Sequence, residues 1–439
     1  MRRLFLPITR ARVHRSFRMF TWGGDWAVSL SEQIKHNLYW FFFDGVFASA
    51  SDNIIITYIT LYILALGATR AQVGLMSSFS SLSAALLLLP GAILVERYGH
   101  RKEFTMIFGG GASRLAILAL ALLPLLVKGQ TIVWVAIILS VTRDAFGNLA
   151  FPAWMSVTAD VVPMAGRGRF FGSRNFIMGI TGILAILLVG ELITNMTIPL
   201  GYQIALGLAF LFGMFSTFSF GRIQDPKGSV VPASVAGSFS LKTLLQEMKD
   251  HPTFLALGLV MAFWNFSLNI AGPFFNVFMV TNLKFTASMV GVTSIVTTVT
   301  SLLVQRRVGR LSDRWGPRKV QLISMVLIPI LPIAWIFVSR FWHVILLNTF
   351  GGAIWGAFNL VSFNFLLSLT PDAQRARFSA IYQILVMLAL AAGAAVGAWV
   401  VTQWGYQAIF ACSGIGRVIA TLLFIRFLPL KVEEEARLA

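Results

Sequence analysis

Ionisable side chains interrupt two long apolar stretches of this 439-residue chain. The stretch "FFFDGVFASASDNIIITYIT" contains Asp44, Asp52 and Asn53, and the stretch "VTRDAFGNLAFPAW" contains Arg143 and Asp144. A charge surrounded by hydrocarbon costs about 2.5–3.5 kcal/mol on insertion scales, so such residues mark candidate functional sites. A carboxylate can exchange a proton or bind a cationic group, and an arginine can stabilise that carboxylate or hold an anionic group.

The elements that carry these residues are too apolar for a soluble protein. Hydrophobic residues make up 57% of the chain and charged residues 12%, with a mean hydropathy of +0.79. We predict an all-α polytopic membrane protein, because lipid leaves backbone groups unsatisfied outside helices and the runs lack the alternation of a β-barrel. Twelve spans of roughly 20 residues or more are expected at about 37–66, 71–95, 104–126, 131–159, 170–193, 199–220, 253–281, 286–304, 320–339, 342–369, 378–402 and 406–429.

The net charge of +18 is distributed unevenly across these spans. Of 35 Lys and Arg residues, three lie well inside spans and 28 lie at or beyond the span ends on one side, while the other side has only Arg70, Lys128, Lys284 and Arg340. Positive charge accumulates on the cytoplasmic side of membrane proteins, so both termini are predicted to be cytoplasmic in a plasma-membrane protein. The basic excess therefore indicates orientation beside anionic lipid and not nucleic-acid binding.

The remaining composition excludes several kinds of site. The single cysteine, Cys412, excludes an internal disulfide and a cysteine-based metal site, and neither a metal nor a cofactor is expected. Residues 1–36 are predicted to be a retained cytoplasmic leader. Within it, Ser29 and Glu32 have the spacing of a capping box that would begin the first helix.

Two similar charged segments, "AILVERYGHRK" and "GRLSDRWGPRK", lie 217 residues apart. The same offset aligns Thr69 with Thr286, and "PMAGRGRF" matches "PDAQRARF" at an offset of 208. We therefore predict two six-helix bundles, 37–220 and 252–430, that are parallel copies of one unit. A cytoplasmic linker, 221–251, would carry a short amphipathic helix, and 431–439 would form a cytoplasmic tail.

Twelve spans in two halves, with G-x-L-x-D-R-x-G-x-R-K after the second span of a half, resemble the major facilitator superfamily of secondary transporters. The resemblance implies that family's fold and a gating motif in each half. In the second half the motif residues are Gly309, Asp313, Arg314, Gly316, Arg318 and Lys319, and in the first half they are Glu96, Arg97, Gly99, Arg101 and Lys102. By the same resemblance, Glu96 and Asp313 latch the halves, and Asp160 pairs with Arg101. The alternative is that these charges only fix topology.

The segment Arg143-x-x-x-Gly147 resembles the superfamily's fourth-span motif, whose arginine is associated with proton coupling or substrate contact. The family fold implies that the first and fourth spans face a central cavity, so we expect Asp52 and Arg143 to face each other there. The alternative is a buried pair that only locks the half together. A pair of Arg114 with Asp144 fits that structural interpretation better.

In the second half, the residues expected to line the cavity are polar or aromatic. Asn269 is the repeat partner of Asp52, and the others are Trp264, Asn265, Trp355, Asn359 and Gln383. A cavity with one charged wall and one amide- and aromatic-lined wall suits an amphipathic or polar organic solute. Taken singly, each of these side chains is more often a packing residue or an interhelical hydrogen-bond partner.

The sequence therefore predicts a monomeric secondary transporter that moves a small organic solute by alternating access, coupled to H⁺. One alternative is a drug or lipid efflux antiporter of the same fold, although the fifth span lacks the G-x-x-x-G-P signature of such exporters. Another is a transport-inactive receptor or scaffold. Enzymatic activity is not expected, because the sequence contains no H-E-x-x-H and no carboxylates paired with histidine.

Overall fold

The computed structural model describes residues 19, 21–224, 252–368 and 375–428. All secondary structure in these ranges is helical. The predicted amphipathic helix of the linker and the C-terminal tail lie outside the described residues.

The first half contains six helices long and apolar enough to cross a membrane. They are α1 (Glu32–Ala65), α2 (Arg70–Tyr98), α3 (Arg101–Leu126), α4 (Thr131–Val161), α5 (Arg167–Asn195) and α6 (Leu200–Gly221). The second half continues with α7 (Pro252–Thr281), α8 (Ala287–Trp315), α9 (Pro317–Trp335), α10 (Phe341–Ser368) and the long segment Arg375–Phe427.

The long segment Arg375–Phe427 supplies the last two spans. A continuous helix of 53 residues would be about 80 Å long, far more than the roughly 30 Å of a bilayer core. The helix is interrupted at Gly405, which has φ 78° and ψ −170°. Glycine adopts this conformation without the steric penalty of a Cβ atom, so residues 375–404 form α11 and residues 406–427 form α12.

Most span positions agree with the sequence prediction, but the start of α1 does not. The helix begins at Glu32, and its N-cap is Ser31, whose Oγ accepts a hydrogen bond from the backbone N–H of Ile34. The predicted capping box of Ser29 and Glu32 is therefore wrong. Ser31 satisfies the same need for an acceptor at the first free N–H groups, two residues later.

The sequence repeat is visible in the caps of α2 and α8. Thr69 caps α2 and Thr286 caps α8, each by accepting a backbone N–H at 3.3 Å. At the other end, the C-caps Gly99 and Gly316 both have positive φ, 66° and 84°. Residues 217 positions apart therefore perform the same local task in the two halves.

The described part of the structure contains three hydrophobic cores. We call the side on which α1 begins the near side and the opposite side the far side. One core, around Phe41 and Phe170, lies on the near side of the first half, and another, around Trp264 and Phe365, lies on the near side of the second half. The third core contains residues of both halves and lies towards the far side. In the described ranges, the shared hydrophobic core thus joins the halves on the far side.

Two repeat-related glycines make close contacts across the halves. A Cβ atom on Gly74 would lie 2.6 Å from Cβ of Ala398, and one on Gly291 would lie 2.5 Å from the hydroxyl of Tyr58. The Tyr58 hydroxyl donates to the carbonyl of Ile186 at 2.6 Å. The far-side closure therefore depends on backbone approaches that only glycine permits.

Candidate functional site

A cavity of about 660 Å³ lies within the first half. Its lining comes from α1 to α6, with Met387 contributed by α11. All six charged residues of this lining lie on helices of the first half: Asp44, Asp52, Arg114, Arg143, Asp144 and Arg174. The sequence prediction had placed Asp44, Asp52, Arg143 and Asp144 at such a cavity, and the structure brings them together there.

Asp52 contacts two arginines through the same oxygen. Its Oδ1 accepts from Arg114 at 2.9 Å and lies 3.5 Å from a terminal nitrogen of Arg143. The guanidinium of Arg114 also donates to Ser51 Oγ at 3.0 Å. The expected Arg114–Asp144 pair is therefore wrong, because Arg114 on α3 reaches α1 instead.

Local backbone features position Arg114 at this site. The preceding turn of α3, Thr105–Ala112, is a π-helix. The side chain of Arg114 lies against α6, where a Cβ on Gly213 would be 2.6 Å from the Cδ atom. A π-helical segment changes which face of a helix presents its side chains, so spacing alone does not reveal the direction of Arg114.

Arg143 is shared between two carboxylates. One terminal nitrogen donates to Asp144 at 2.8 Å, and the other approaches Asp52. The side chains of Asp52 and Asp144 are 40% and 30% exposed, while those of Arg114 and Arg143 are 11% and 19% exposed. The cavity therefore presents carboxylate oxygens, with the guanidinium groups set behind them.

A second ion pair in the first half, between Asp44 and Arg174, is almost fully buried. Arg174 donates to Asp44 at 3.3 Å and to the carbonyl of Phe41 at 3.0 Å, and Ser216 donates to Asp44 at 2.7 Å. The Asp44 and Arg174 side chains are only 7% and 5% exposed. Sequence reasoning had missed Arg174 by counting it with the cytoplasmic charges. Its position inside the predicted span 170–193 was the available signal.

The rest of the cavity lining gives it an apolar side. Met106, Trp154 and Met178 are among its lining residues, together with Met387 from the second half. Flexible thioethers and an aromatic ring can adapt to apolar groups of different shapes. The cavity therefore combines exposed carboxylates with adaptable apolar surface.

The residues expected to form the second wall are not among the lining residues of this cavity. Trp264 is fully buried and stacks on Phe358 at 5.4 Å. Asn265 donates to the carbonyl of Met261, and Asn269 donates to that of Leu390 on α11. Trp264 thus packs in the core, Asn265 bonds within its own helix, and Asn269 bonds to a neighbouring helix.

The remaining second-half candidates lie elsewhere in the bundle. The ring of Trp355 packs against that of Phe358 at 5.5 Å. The Arg417 guanidinium lies 6.0 Å from the centre of the Trp355 ring. Asn359 and Gln383 are exposed on α10 and α11. An apolar run identifies a spanning helix but does not say which of its faces meets a cavity.

Asn53 faces a separate, smaller cavity of about 220 Å³. This cavity lies between α1, α5 and α8, and Thr298 contributes to it from the second half. The Asn53 side chain donates to the Ser49 carbonyl at 2.9 Å. Asn53 directly follows Asp52 in α1, yet the two side chains line different cavities.

The gating motifs differ between the two halves. Arg101 donates to Asp160 at 2.6 Å and to Ser156 Oγ at 3.0 Å, with only 4% of its side chain exposed. Its repeat partner Arg318 is equally buried, at 3% exposure, and donates to the carbonyl of Leu428. The first half therefore contains the arginine–acid contact that the resemblance implied.

The other motif residues lie around these contacts at the near-side ends of α2, α3, α8 and α9. Arg97, Arg314 and Lys319 are exposed, Lys102 is half-buried, and Lys319 lies 5.2 Å from the ring of Trp315. The side chains of Glu96 and Asp313 lie outside the described part of the structure. Within the described ranges, no group of three His, Cys, Asp or Glu side chains is arranged to hold a metal ion.

The repeated halves and the charged cavity define a polytopic membrane transporter. The family model described as Major Facilitator Superfamily matches residues 41–306 and 255–439. The chain belongs to this superfamily. Its fold is the superfamily's all-α fold.

Relatives and solved structures agree with this assignment. The multidrug resistance efflux pump PmrA of Streptococcus pneumoniae is 25% identical over 86% of this chain and 92% of its own length. The multidrug resistance protein MdtG of Proteus mirabilis is 23% identical with the same coverage, 86% and 92%.

Two solved structures share the fold at low sequence identity. The nucleoside transporter NupG is 13% identical with a TM-score of 0.67, covering 89% of this chain and 98% of its own. A bacterial homologue of the human lysosomal transporter Spinster, in an inward-facing and unoccupied conformation, is 14% identical with a TM-score of 0.68. That alignment covers 92% of this chain and 98% of the other.

Proposed function

We propose that this transporter exports amphipathic organic cations in exchange for protons. The observation that carries the proposal is that the acids are more exposed than their arginines. The side chains of Asp52 and Asp144 are 40% and 30% exposed, and those of Arg114 and Arg143 are 11% and 19% exposed. A cation entering the cavity would meet carboxylate oxygens on one side and Met and Trp side chains on the other. The similarity to PmrA and MdtG, both described as multidrug proteins, favours this substrate class over a polar nutrient.

Proton coupling is assigned to Asp52. Of the three cavity acids that pair with arginine, it has the most exposed side chain, and both of its arginine contacts fall on Oδ1. Because Asp52 faces the cavity and contacts two guanidiniums, a change in its charge would act directly on both arginines. The alternative, a pair that only stabilises the first half, predicts no effect of its charge on transport.

The proposed mechanism is alternating access between the two halves. The near side is taken as cytoplasmic from the distribution of Lys and Arg, so the shared far-side core corresponds to an inward-facing state. In this proposal, the far-side contacts of Tyr58, Gly74 and Gly291 separate when the halves rock. Glu96 and Asp313 then latch the near side in the outward-facing state.

The test uses purified protein in proteoliposomes with an imposed pH gradient and tetraphenylphosphonium, a permeant organic cation, as the probe. We expect wild-type protein to move the cation against its gradient when the proton gradient is present, and Asp52→Asn to abolish the dependence on that gradient. A transport profile of Asp52→Asn with the same pH dependence as the wild type would remove Asp52 from coupling. Absence of transport by the wild type across a panel of organic cations and neutral solutes would favour the receptor or scaffold.

A further inference from the structure

Arg143 connects two acids that need not have the same task. Its two terminal nitrogens point to different carboxylates, at 2.8 Å from Asp144 and 3.5 Å from Asp52. Asp52 has a second, shorter contact with Arg114 at 2.9 Å. In the described structure, Asp144 has Arg143 as its one ion-pair partner.

These contacts leave the two carboxylates unequally neutralised. The charge on Asp52 is opposed by two guanidiniums, whereas Asp144 has one guanidinium that it shares. The negative charge available to a ligand is therefore greater at Asp144, whose side chain is 30% exposed in the cavity. Opposite charges attract most strongly where neither is already compensated.

The other charged groups that face this cluster do not compete for Asp144. Asp44 and Arg174 line the same cavity, but they bind each other, and Ser216 and the Phe41 carbonyl complete their contacts. Arg114 reaches Ser51 and Asp52 on α1. Arg143 is therefore the group through which the charge of Asp52 can reach Asp144.

We propose that Asp144 binds the cationic group of the substrate and that Asp52 controls its affinity through Arg143. When Asp52 is ionised, Arg143 is shared and Asp144 keeps enough charge to bind a cation. When Asp52 takes up a proton, its attraction for Arg143 is lost, and Arg143 pairs fully with Asp144. The proton and the cation then exclude each other without occupying the same carboxylate.

This inference rests on the proposed function, since it assigns two tasks within one proton-coupled cation site. By linkage, a proton that weakens cation binding must be released when the cation binds. Exchange of one for the other is the behaviour an antiporter requires. In this scheme Arg143 is a positioning residue, and Asp144 determines specificity for cations.

The experiment measures equilibrium binding of tetraphenylphosphonium to purified protein from mildly acidic to mildly alkaline pH. For the wild type, we expect affinity to fall as the pH falls. Asp52→Asn is expected to bind weakly at every pH, as the wild type does at the acidic end. Asp144→Asn is expected to lose about tenfold or more in affinity at alkaline pH, as is typical when one partner of a close charge pair is removed.

The variant Arg143→Lys tests whether Asp52 affects cation binding through Arg143 or by a direct electrostatic interaction with the ligand. A lysine is a single point charge and cannot bridge two carboxylates as a guanidinium does. The dependence of binding on pH should therefore be greatly reduced in this variant. Glu191→Gln is the matched control, because Glu191 is an exposed acid on α5 that accepts a hydrogen bond from Asn195 one turn away.

Three results would overturn the inference. Unchanged affinity in Asp144→Asn would mean that the cation binds elsewhere, while the proposed transport function would survive. Full pH dependence in Arg143→Lys or Asp52→Asn would remove Arg143 as the connection. No binding by the wild type at any pH would overturn the proposed function and this inference together. Size-exclusion profiles in detergent confirm that each variant is folded before binding is measured.

Discussion

Arg101 and Asp160 form an ion pair on the near side of the first half, and the repeat partner of Arg101 is also a buried arginine, Arg318. A terminal nitrogen of Arg101 lies 2.6 Å from a carboxylate oxygen of Asp160, and the pair joins the start of α3 to the end of α4. At the repeat position of Arg101, Arg318 donates to the carbonyl of Leu428 at the end of α12. The position that corresponds to Asp160 is Ser368. Both copies of the repeat therefore bury an arginine at this position.

We expect Asp160→Asn to destabilise the first half. The Arg101 side chain is 4% exposed, so removing its acid leaves a buried charge with reduced compensation, which costs about 3 kcal/mol when a buried pair is broken. The variant should show a lower unfolding temperature in detergent. Glu103→Gln serves as the control, since Glu103 is 61% exposed and should give no measurable change. Equal unfolding temperatures for both variants would contradict a stabilising role for the pair.

We expect Gly45→Ala to disrupt the pair of Asp44 and Arg174. A Cβ atom at Gly45 would collide with the Arg174 guanidinium, which has no space to move because its side chain is 5% exposed. Displacing a paired charge within the membrane should lower stability by about 3–5 kcal/mol. Thermal unfolding of the purified variant measures the loss. Gly207→Ala on α6 is the control, because a Cβ atom there meets nothing within 4 Å.

We expect Gly291→Ala to shift the protein away from the state with a closed far side. The added methyl group would lie 2.5 Å from the Tyr58 hydroxyl and 2.9 Å from Ile186 of the opposite half, and overpacking of this kind costs about 1–3 kcal/mol. The closed state is measured by cross-linking two introduced cysteines, Thr194→Cys and Ser288→Cys. These positions are in contact across the halves, because the backbone N–H of Ser288 donates to the Thr194 hydroxyl.

The background for this experiment is Cys412→Ser, since Cys412 is the single native cysteine. The cross-linked fraction should fall in Gly291→Ala, whereas Gly207→Ala should leave it unchanged. A fall of equal size in both glycine variants would show that the effect is not specific to the far-side contact.

We expect Asp313→Asn to slow transport without preventing membrane insertion. The resemblance to the superfamily motif implies that this acid latches the outward-facing state, and a tenfold lower rate would correspond to about 1.4 kcal/mol of lost latching. Transport is measured in proteoliposomes and corrected for the amount of inserted protein. Asp25→Asn is the control, because Asp25 is exposed and lies ahead of α1. A wild-type rate in Asp313→Asn would leave the motif with a role in topology alone.

Much of the fold could be predicted because hydrophobic length and local turn chemistry act over short distances. Spans follow from apolar runs long enough to cross a bilayer, and the caps Thr69, Thr286, Gly99 and Gly316 follow from the repeated segments. The start of α1 could not be predicted to the residue, since Ser29 and Ser31 both offer a capping oxygen. Only the backbone geometry at Ser31 distinguishes them.

The site was predicted in part. Asp52 and Arg143 could be identified because charges in apolar runs are rare and costly. Their partners could not, because Arg114 and Asp144 were candidates for each other on spacing alone, and the π-helical turn before Arg114 directs it to Asp52 instead. Arg174 lies four residues inside the predicted span 170–193, and that depth marks it as a candidate but does not identify Asp44 as its partner.

By itself, the sequence determined that this protein lies in a membrane, that its two halves are copies, and that a few charges occupy an apolar interior. Those properties depend on composition and repetition, which are independent of how helices rotate about their axes. The tertiary structure decided which charges meet, that the cavity belongs to the first half, and that Trp264 and Asn269 serve packing. These outcomes depend on the rotation and crossing of helices, and apolar surfaces on all sides leave that rotation unspecified until the neighbouring helices are in place.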